Sequence, residues 1–482
     1  MGFGFRHPGA SRARPPGVRP RRRAQGTVII VAMWILLVLA GLVLVLARSM
    51  RVEGDRAAND LAAVQAAAVE QGAVQYVLAN VDGLQGLVPA DASTPCEAVA
   101  VGDGWFWILR PSASSDTAYS FGITDEAGKL NLNTATLDML SKLPDMTTEL
   151  AASIIDWRDA DSNITTGGAE SEYYLMLPDP YECKNGPLET IEELFLVRGA
   201  TKEILYGDDV NRNGVLDPGE NPSSATSSSS LGGTGSRLDR GIYNFITVYS
   251  VEPAATARLN VNAPTPLAAI AMALQGVVSS DRMPGVLDRI RRDRPFRNMF
   301  DFYFRAAFTL DEFKKVSNRF TTNSSRTPVK GLININTAPR EVLLCLPMLE
   351  DGDVAALIAQ RVASSTTGSS GTFGSSDTTN TGTTSIAWVL QALPRNKLIG
   401  IGGAVTGKSY QFSADIVSVG QSGRAFKRCR IVVDARTSPT KIIYRQNLTH
   451  LGWPLSPDIL TRLRSGMGLD PGVQTIGRGI GE

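Results

Sequence analysis

The 21 consecutive residues from Thr27 to Ala47 carry no charge, and this run constrains the chain more than any other feature. Val, Ile, Leu and Ala dominate it. At 1.5 Å per residue, a helix of that length spans the roughly 30 Å hydrocarbon core of a bilayer. Seven arginines (Arg6, Arg12, Arg14, Arg19, Arg21, Arg22 and Arg23) precede it within residues 1–26, with no acid among them. Positive charge before the run orients the N-terminus to the cytoplasm and the remainder to the other side. The run is too long for the apolar core of a cleaved secretory signal, and it ends in Ala47-Arg48-Ser49-Met50 rather than in a small-residue cleavage site. A plain anchor fits the run by itself.

Removing the leader changes the charge balance. The whole chain is +1 from 48 basic and 47 acidic side chains, so 456 residues remain with 41 basic and 47 acidic groups. A body of about −6 is a poor partner for nucleic acid, which is bound mainly by neutralising phosphates. There are only two histidines, His7 in the leader and His450 near the C-terminus, and no Ser/His/Asp, Cys/His or phosphate-loop arrangement. The expectation is a protein that is not an enzyme. Of the four cysteines, Cys345 sits in an apolar run and is expected to be a buried thiol. Cys96 and Cys183, in polar Pro-rich surroundings, are the pair expected to join if any do.

The surroundings of the apolar run narrow the reading. Gly26 stands directly between the basic leader and the run. Beyond the run, Arg51–Asn80 continues without proline and is rich in Ala, Val, Gln and Leu, which predicts one long helix. A basic leader, a glycine, an apolar helix and an amphipathic extension together resemble a type IV pilin or pseudopilin. The resemblance implies cleavage by a prepilin peptidase between Gly26 and Thr27. Most pilins carry Glu five residues into the mature chain; here that position is Val31. Its absence resembles the K-type minor pseudopilins of type II secretion systems.

An internal repeat runs through the body. Asn131-Leu132-Asn133-Thr134-Ala135 recurs as Asn334-Ile335-Asn336-Thr337-Ala338, followed at equal distance by Leu143-Pro144 and Leu346-Pro347, and by Ile155/Arg158 and Ile358/Arg361. Asn260-Val261-Asn262-Ala263 opens a third, partial copy without the Leu-Pro pair. Each copy predicts a strand, a capped helix and a second helix ending at Arg. The pattern resembles a helix-hairpin-helix unit, but Pro144-Asp145-Met146-Thr147 and Pro347-Met348-Leu349-Glu350 lack the glycines that present backbone N–H groups to phosphate. K-type pseudopilins carry such helical modules in a large insertion within the pilin sheet. The runs Asp156-Trp157-Arg158-Asp159 and Gly168-Ala169-Glu170 through Tyr173-Tyr174 resemble that insertion too.

One motif carries sharp chemistry. Asp209, Asn211, Asn213, Asp217 and Glu220 supply oxygens at loop positions 1, 3, 5, 9 and 12, with Gly214 at 6 and the Val215 carbonyl at 7. This is the spacing of an EF-hand calcium loop, in which alternate positions converge hard oxygens on the ion. Asn221-Pro222-Ser223 does not begin a helix, so a lone structural loop is expected. Asp159 and Asp161, with Glu170 further on, form a weaker second calcium set.

Strands are predicted at Gly104–Arg110, Tyr119–Ile123, Asn244–Val251, Tyr410–Val419, Lys427–Val433 and Lys441–Arg445. Low-complexity stretches at Asn221–Ser236 and Ser364–Ser385 read as loops or linkers. The expected fold is α+β: a long N-terminal transmembrane helix, a small antiparallel pilin-like sheet and a large, mostly helical insertion with helix-hairpin-helix-like repeats. The organisation runs as leader 1–26, helix 27–85, first sheet part 86–125, helical insertion with the calcium loop 126–240, a second helical part with the repeat and linker 241–400, C-terminal strands 401–450 and a tail 451–482 that resembles nothing known. The resemblance implies a single-pass inner-membrane protein with a periplasmic body. It would stand at the tip of the secretion pseudopilus, with I- and J-type minor pseudopilins and the major pseudopilin as partners. The alternative is a membrane-tethered DNA receptor of the competence kind.

Overall fold

The computed structural model describes residues 25–91, 93–111, 119–215, 217, 220, 240–254, 258–264, 266–322, 327–368 and 385–469. Residues 1–24 of the leader and the low-complexity stretch Asn221–Ser236 lie outside them, as does most of Ser364–Ser385. Two compact units divide the chain, one up to Leu61 and one from Ala62 onward.

Helix α1 runs without a break from Gln25 to Val81. No proline interrupts it, and Gly83 in a left-handed conformation (φ 74°) follows its end. Its residues Val28–Leu46 are exposed apolar side chains. Among the described residues this is the one helix long and apolar enough to cross a membrane. In the second unit the character of the same helix changes. Ala62, Ala66, Val69, Ala73, Val74, Val77 and Val81 are buried at spacings of three and four, one face of a 3.6-residue period.

That face packs on an antiparallel sheet. Its strands are β1 (Val99–Val101), β2 (Gly104–Arg110), β3 (Ser120–Phe121), β4 (Thr124–Asp125), β5 (Gln411–Val419), β6 (Phe426–Asp434) and β7 (Lys441–Asn447). The order is β1-β2-β5-β6-β7, with β3 paired to β2 and β4 to β5. Phe106 and Ile108 join Phe412, Ala414, Ile416, Ile431 and Val433 beneath the helix. Gly104 lets the two approach: a Cβ there would lie 2.5 Å from a Val69 methyl. Ser418 Oγ donates to the Ala66 carbonyl (3.0 Å), and Asp82 accepts from Ser438 and Thr440 at the far end of the helix.

The other face of the sheet is covered as well. Trp107, Leu109, Val417 and Val419 meet Leu455, Ile459 and Leu463 from the C-terminal segment, with Trp453 edge-on to Trp107 and Phe426. This explains why β2 reads Trp-Phe-Trp-Ile-Leu instead of alternating: both faces are buried. The short helix Pro457–Arg464 thus gives the tail a structural place that its sequence did not suggest.

Between β4 and β5 lies the insertion, residues 126–410. The chain leaves the sheet at Asp125 and returns to pair with the strand it left, Asp125 opposite Phe412. Inside it, three units share one plan. Leu130–Asn131 pairs in parallel with Ile246–Thr247, Leu259–Asn260 with Phe320–Thr321, and Ile333–Asn334 with Val405–Thr406. Each Asn side chain accepts the N–H two residues on, at Asn133, Asn262 and Asn336. Helix pairs follow: α2 (Leu137–Leu140) with α3 (Thr148–Arg158), α4 (Leu267–Leu274) with α5 (Met283–Asp293), and α6 (Arg340–Leu344) with α7 (Asp351–Gly368). Asp145, Gly276 and Met348 hold the turns between them at positive φ. Arg158, Arg294 and Arg361 return to donate to carbonyls at the start of their own unit. The third copy, partial in sequence, is therefore complete in structure.

Other expectations needed correction. Asn244–Val251 is not one strand but two short pieces, Ile246–Thr247 and Val251–Glu252. α7 continues past Arg361 to Gly368. Cys96 and Cys183 are not joined; all four cysteines are free and buried. Cys96 belongs to the core between helix and sheet and Cys183 to the core of the insertion. Burial pushes both thiols up to about 11.

Two buried acids tie the insertion to the sheet. Asp125 accepts from Ser409 Oγ (2.5 Å), Thr337 Oγ1 (2.6 Å), Asn334 Nδ2 (3.0 Å) and the Ala127 N–H (2.8 Å). Glu126, fully buried, meets Lys129 Nζ (2.5 Å), Ser413 Oγ (2.6 Å), Thr247 Oγ1 (2.5 Å) and Arg430 (3.6 Å). Burial alone would raise the Glu126 pKa, but Lys129 and Arg430 outweigh it and hold the carboxyl down at about 2. Glu126→Gln leaves those cations unpaired in the interior, so chemical denaturation of the variant at pH 7 is expected to show a loss of about 3 kcal/mol. The folded-state pKa lies below the ordinary 4.5, so this stabilisation is complete above about pH 4.5 and is lost as pH falls towards 2.

Candidate metal centre

The loop at 209–220 begins one turn after the helix Lys202–Tyr206 and lies against the sheet. Asp209 is buried and accepts the N–H groups of Asn213 (3.0 Å) and Gly214 (2.8 Å), which folds the loop back on its first residue. Gly214 takes φ 78°, a conformation that favours glycine. The Asn211 and Asn213 side-chain oxygens each accept the N–H two residues on (2.9 and 2.7 Å), so both point into the loop. Each such oxygen keeps a second lone pair. Asp217 and Glu220 close the far side: Asp217 Oδ2 accepts from the amides of Asn211 (2.6 Å) and Asn213 (2.8 Å), and Glu220 accepts the N–H of Asn211 and of Asp217. All the oxygen donors expected from the sequence therefore belong to one small loop, with Val215 buried at its edge.

Its electrostatics are unbalanced. Burial, with the nearby Glu220 charge adding to it, pushes the Asp209 carboxyl up to about 6 against the opposing N–H groups of Gly214 and Asn213. A hard cation would relieve this. Among the described residues, no three His, Cys, Asp or Glu side chains are gathered tightly enough to form a ready-made ion site. The Asn211 and Asn213 amide groups stand against Asp217 where an ion would draw the carboxylates inward.

The second set is differently built. Glu170 is buried, and both its oxygens lack a hydrogen-bond partner, as does Asp159 Oδ1. Burial raises the Glu170 pKa first, and the charges of Asp156 and Asp159 raise it further. The Asp159 pKa is likewise raised by burial and then by Asp161 and Asp156. Asp161 is exposed and accepts the Asn163 N–H (2.8 Å). Sequence reasoning overlooked Asp156, which is fully buried on α3 and accepts the Thr165 N–H (3.0 Å). An acid inside the run Ala151–Trp157, apolar apart from Ser153, was the available signal. Gly168 packs so tightly on it that a Cβ would lie 2.1 Å from Asp156 Oδ2.

Gly26, Thr27 and Val31 lie near the start of α1, with Val31 exposed.

Residues 126–206 match the family model described as type II secretion system (T2SS), protein K. This segment contains the first helix pair and the second carboxylate set. No curated protein matches the chain. A solved structure, the GspK–GspI–GspJ complex from the enterotoxigenic Escherichia coli type 2 secretion system, is 12% identical over 79% of this chain and 93% of that chain. The TM-score is 0.35, too loose a likeness to carry an argument. Residues 126–206, set between strands of a sheet that packs on the continuation of an apolar N-terminal helix, are thus similar to protein K of type II secretion systems.

Proposed function

We propose that this chain is the first, tip-most subunit of the secretion pseudopilus, held in the inner membrane by α1 until assembly, with its body in the periplasm. The role is structural: the subunit supports the passage of folded proteins across the outer membrane and performs no chemistry. The protein K domain at 126–206 carries this reading. The I- and J-type minor pseudopilins and the major pseudopilin are its proposed partners, and prepilin peptidase is the enzyme that matures it.

The tip position rests on Val31. After cleavage at Gly26, each subunit has a charged α-amine on a helix lying in hydrocarbon. A Glu at the fifth mature position can pair with the amine of the subunit assembled ahead. An ionised group left unpaired there costs at least about 2.5 kcal/mol. A subunit with Val31 brings no such partner, so it gains nothing by following another, yet it can itself be followed.

Calcium is the proposed ion at Asp209, Asn211, Asn213, Val215, Asp217 and Glu220. Hard oxygen donors at these positions, three of them carboxylates, suit calcium rather than a softer metal. A second ion is proposed at Asp159, Asp161 and Glu170, joined by Asp156, where unpartnered buried oxygens support it.

Three outcomes are expected. Intact-mass measurement of membrane-extracted protein will show a chain starting at Thr27; retention of residues 1–26 in peptidase-competent cells would leave only a plain anchor. Calcium will raise the melting temperature by binding the folded state, and Asp209→Ala combined with Glu220→Ala will remove that loop's share. A melting curve unchanged between calcium and chelator defeats the ion assignment. Cysteines placed along Val28–Leu46 will crosslink to partners on one side only, and recovery of this chain as a repeating shaft subunit would refute the tip position.

A further inference from the structure

The 209–220 loop is held from outside by two groups that the calcium spacing does not require. The first is Arg428 on β6, fully buried. Its guanidinium pairs with Asp415 on β5 through Nε (2.9 Å) and Nη2 (2.6 Å). The same fork also donates to two loop carbonyls, Nη1 to Asn211 (2.5 Å) and Nη2 to Arg212 (2.7 Å). The second is the C-terminal segment, where the Pro454 carbonyl accepts from Asn213 Nδ2 (2.8 Å). Asn213 thus turns its oxygen into the loop, while its nitrogen donates both to Asp217 Oδ2 within the loop (2.8 Å) and to the segment whose Trp453, Leu455, Ile459 and Leu463 cover the sheet. Arg428 touches that segment's root too: its N–H donates to Thr449 Oγ1 (3.1 Å), and its carbonyl accepts from Leu448 N–H (2.8 Å).

We propose that cation binding in the 209–220 loop and seating of Trp453–Leu463 on the sheet are one coupled event, transmitted by Asn213 and anchored by Arg428. The inference rests on the reading of the loop as a calcium site. An ion that draws the Asn213 oxygen inward fixes the amide plane and so aims its nitrogen at Pro454. A seated C-terminal segment, in turn, holds that plane ready for the ion. Coupling of this kind is reciprocal. Arg428 is a positioning residue: it fixes the loop backbone at its third and fourth positions to the sheet and touches no ion.

Amide hydrogen exchange on the full-length chain in detergent, with calcium chloride or chelator, tests this. Calcium is expected to slow exchange at Gly214 and Val215 and, about tenfold, across 453–464. Asn213→Asp keeps an oxygen at the fifth loop position but has no N–H for Pro454. That variant is expected to bind calcium, shown by protection of Gly214 and Val215, without protecting 453–464. In reverse, Ile459→Ala loosens the segment without touching the loop and is expected to weaken calcium binding about fivefold by calorimetry. If the wild-type loop responds while 453–464 does not, or if Asn213→Asp still protects 453–464, the coupling is overturned and the calcium reading stands. If Gly214 and Val215 ignore calcium, the loop is not a calcium site and both ideas fall.

Discussion

The acidic pair Asp125–Glu126 holds the architecture together. It lies where the chain leaves the sheet, and its hydrogen bonds reach both halves of the body: Thr247, Asn334 and Thr337 in the insertion, Ser409 and Ser413 at the start of the returning strand. Ionised groups are expensive to bury, and partial satisfaction is worse than none. Here the polar atoms of both side chains are met, which fixes the angle and register at which the repeats meet the sheet. A hydrophobic contact in the same place would tolerate sliding; this one does not.

The same burial has opposite consequences elsewhere. Glu126 has Lys129 and Arg430 beside it and stays ionised. Asp209 and Glu170 are buried among other carboxylates, and their pKa values rise. Lys129 and Arg430 neutralise the first from within the chain, whereas Glu220 beside Asp209, and Asp156 and Asp159 beside Glu170, raise the other two further.

Much of the plan was legible in the sequence because it depends on local patterns. The uncharged run and its proline-free continuation gave one helix, and the repeated Asn-x-Asn signature marked strand-to-helix turns. The 209–220 spacing identified residues that the fold does bring into one loop. What could not be read depends on long-range packing. Nothing in the local sequence singles out Asp125 and Glu126, whose partners Asn334 and Ser413 arrive from far along the chain. The third repeat was legible only in part, because Gln275-Gly276 takes the turn that Leu-Pro marks elsewhere and Arg294 does the work of Arg158 from just beyond its helix. The tail matched nothing known, and its value shows once Trp107 and Val417 are seen to need a cover.

The point of exit and return at Asp125 and Phe412 also bears on the order in which the molecule folds. Closing a disordered loop of about 285 residues costs about 5 kcal/mol by (3/2)RT ln n, before any strand contact repays it. A condensed insertion removes that cost, since its own core brings its two ends side by side and presents β4 and β5 already in register. Pairing of β4 with β5 then adds no further loop cost. Sequence neighbours in the sheet are thus set far apart along the chain, and the core of the inserted part spans the distance between them.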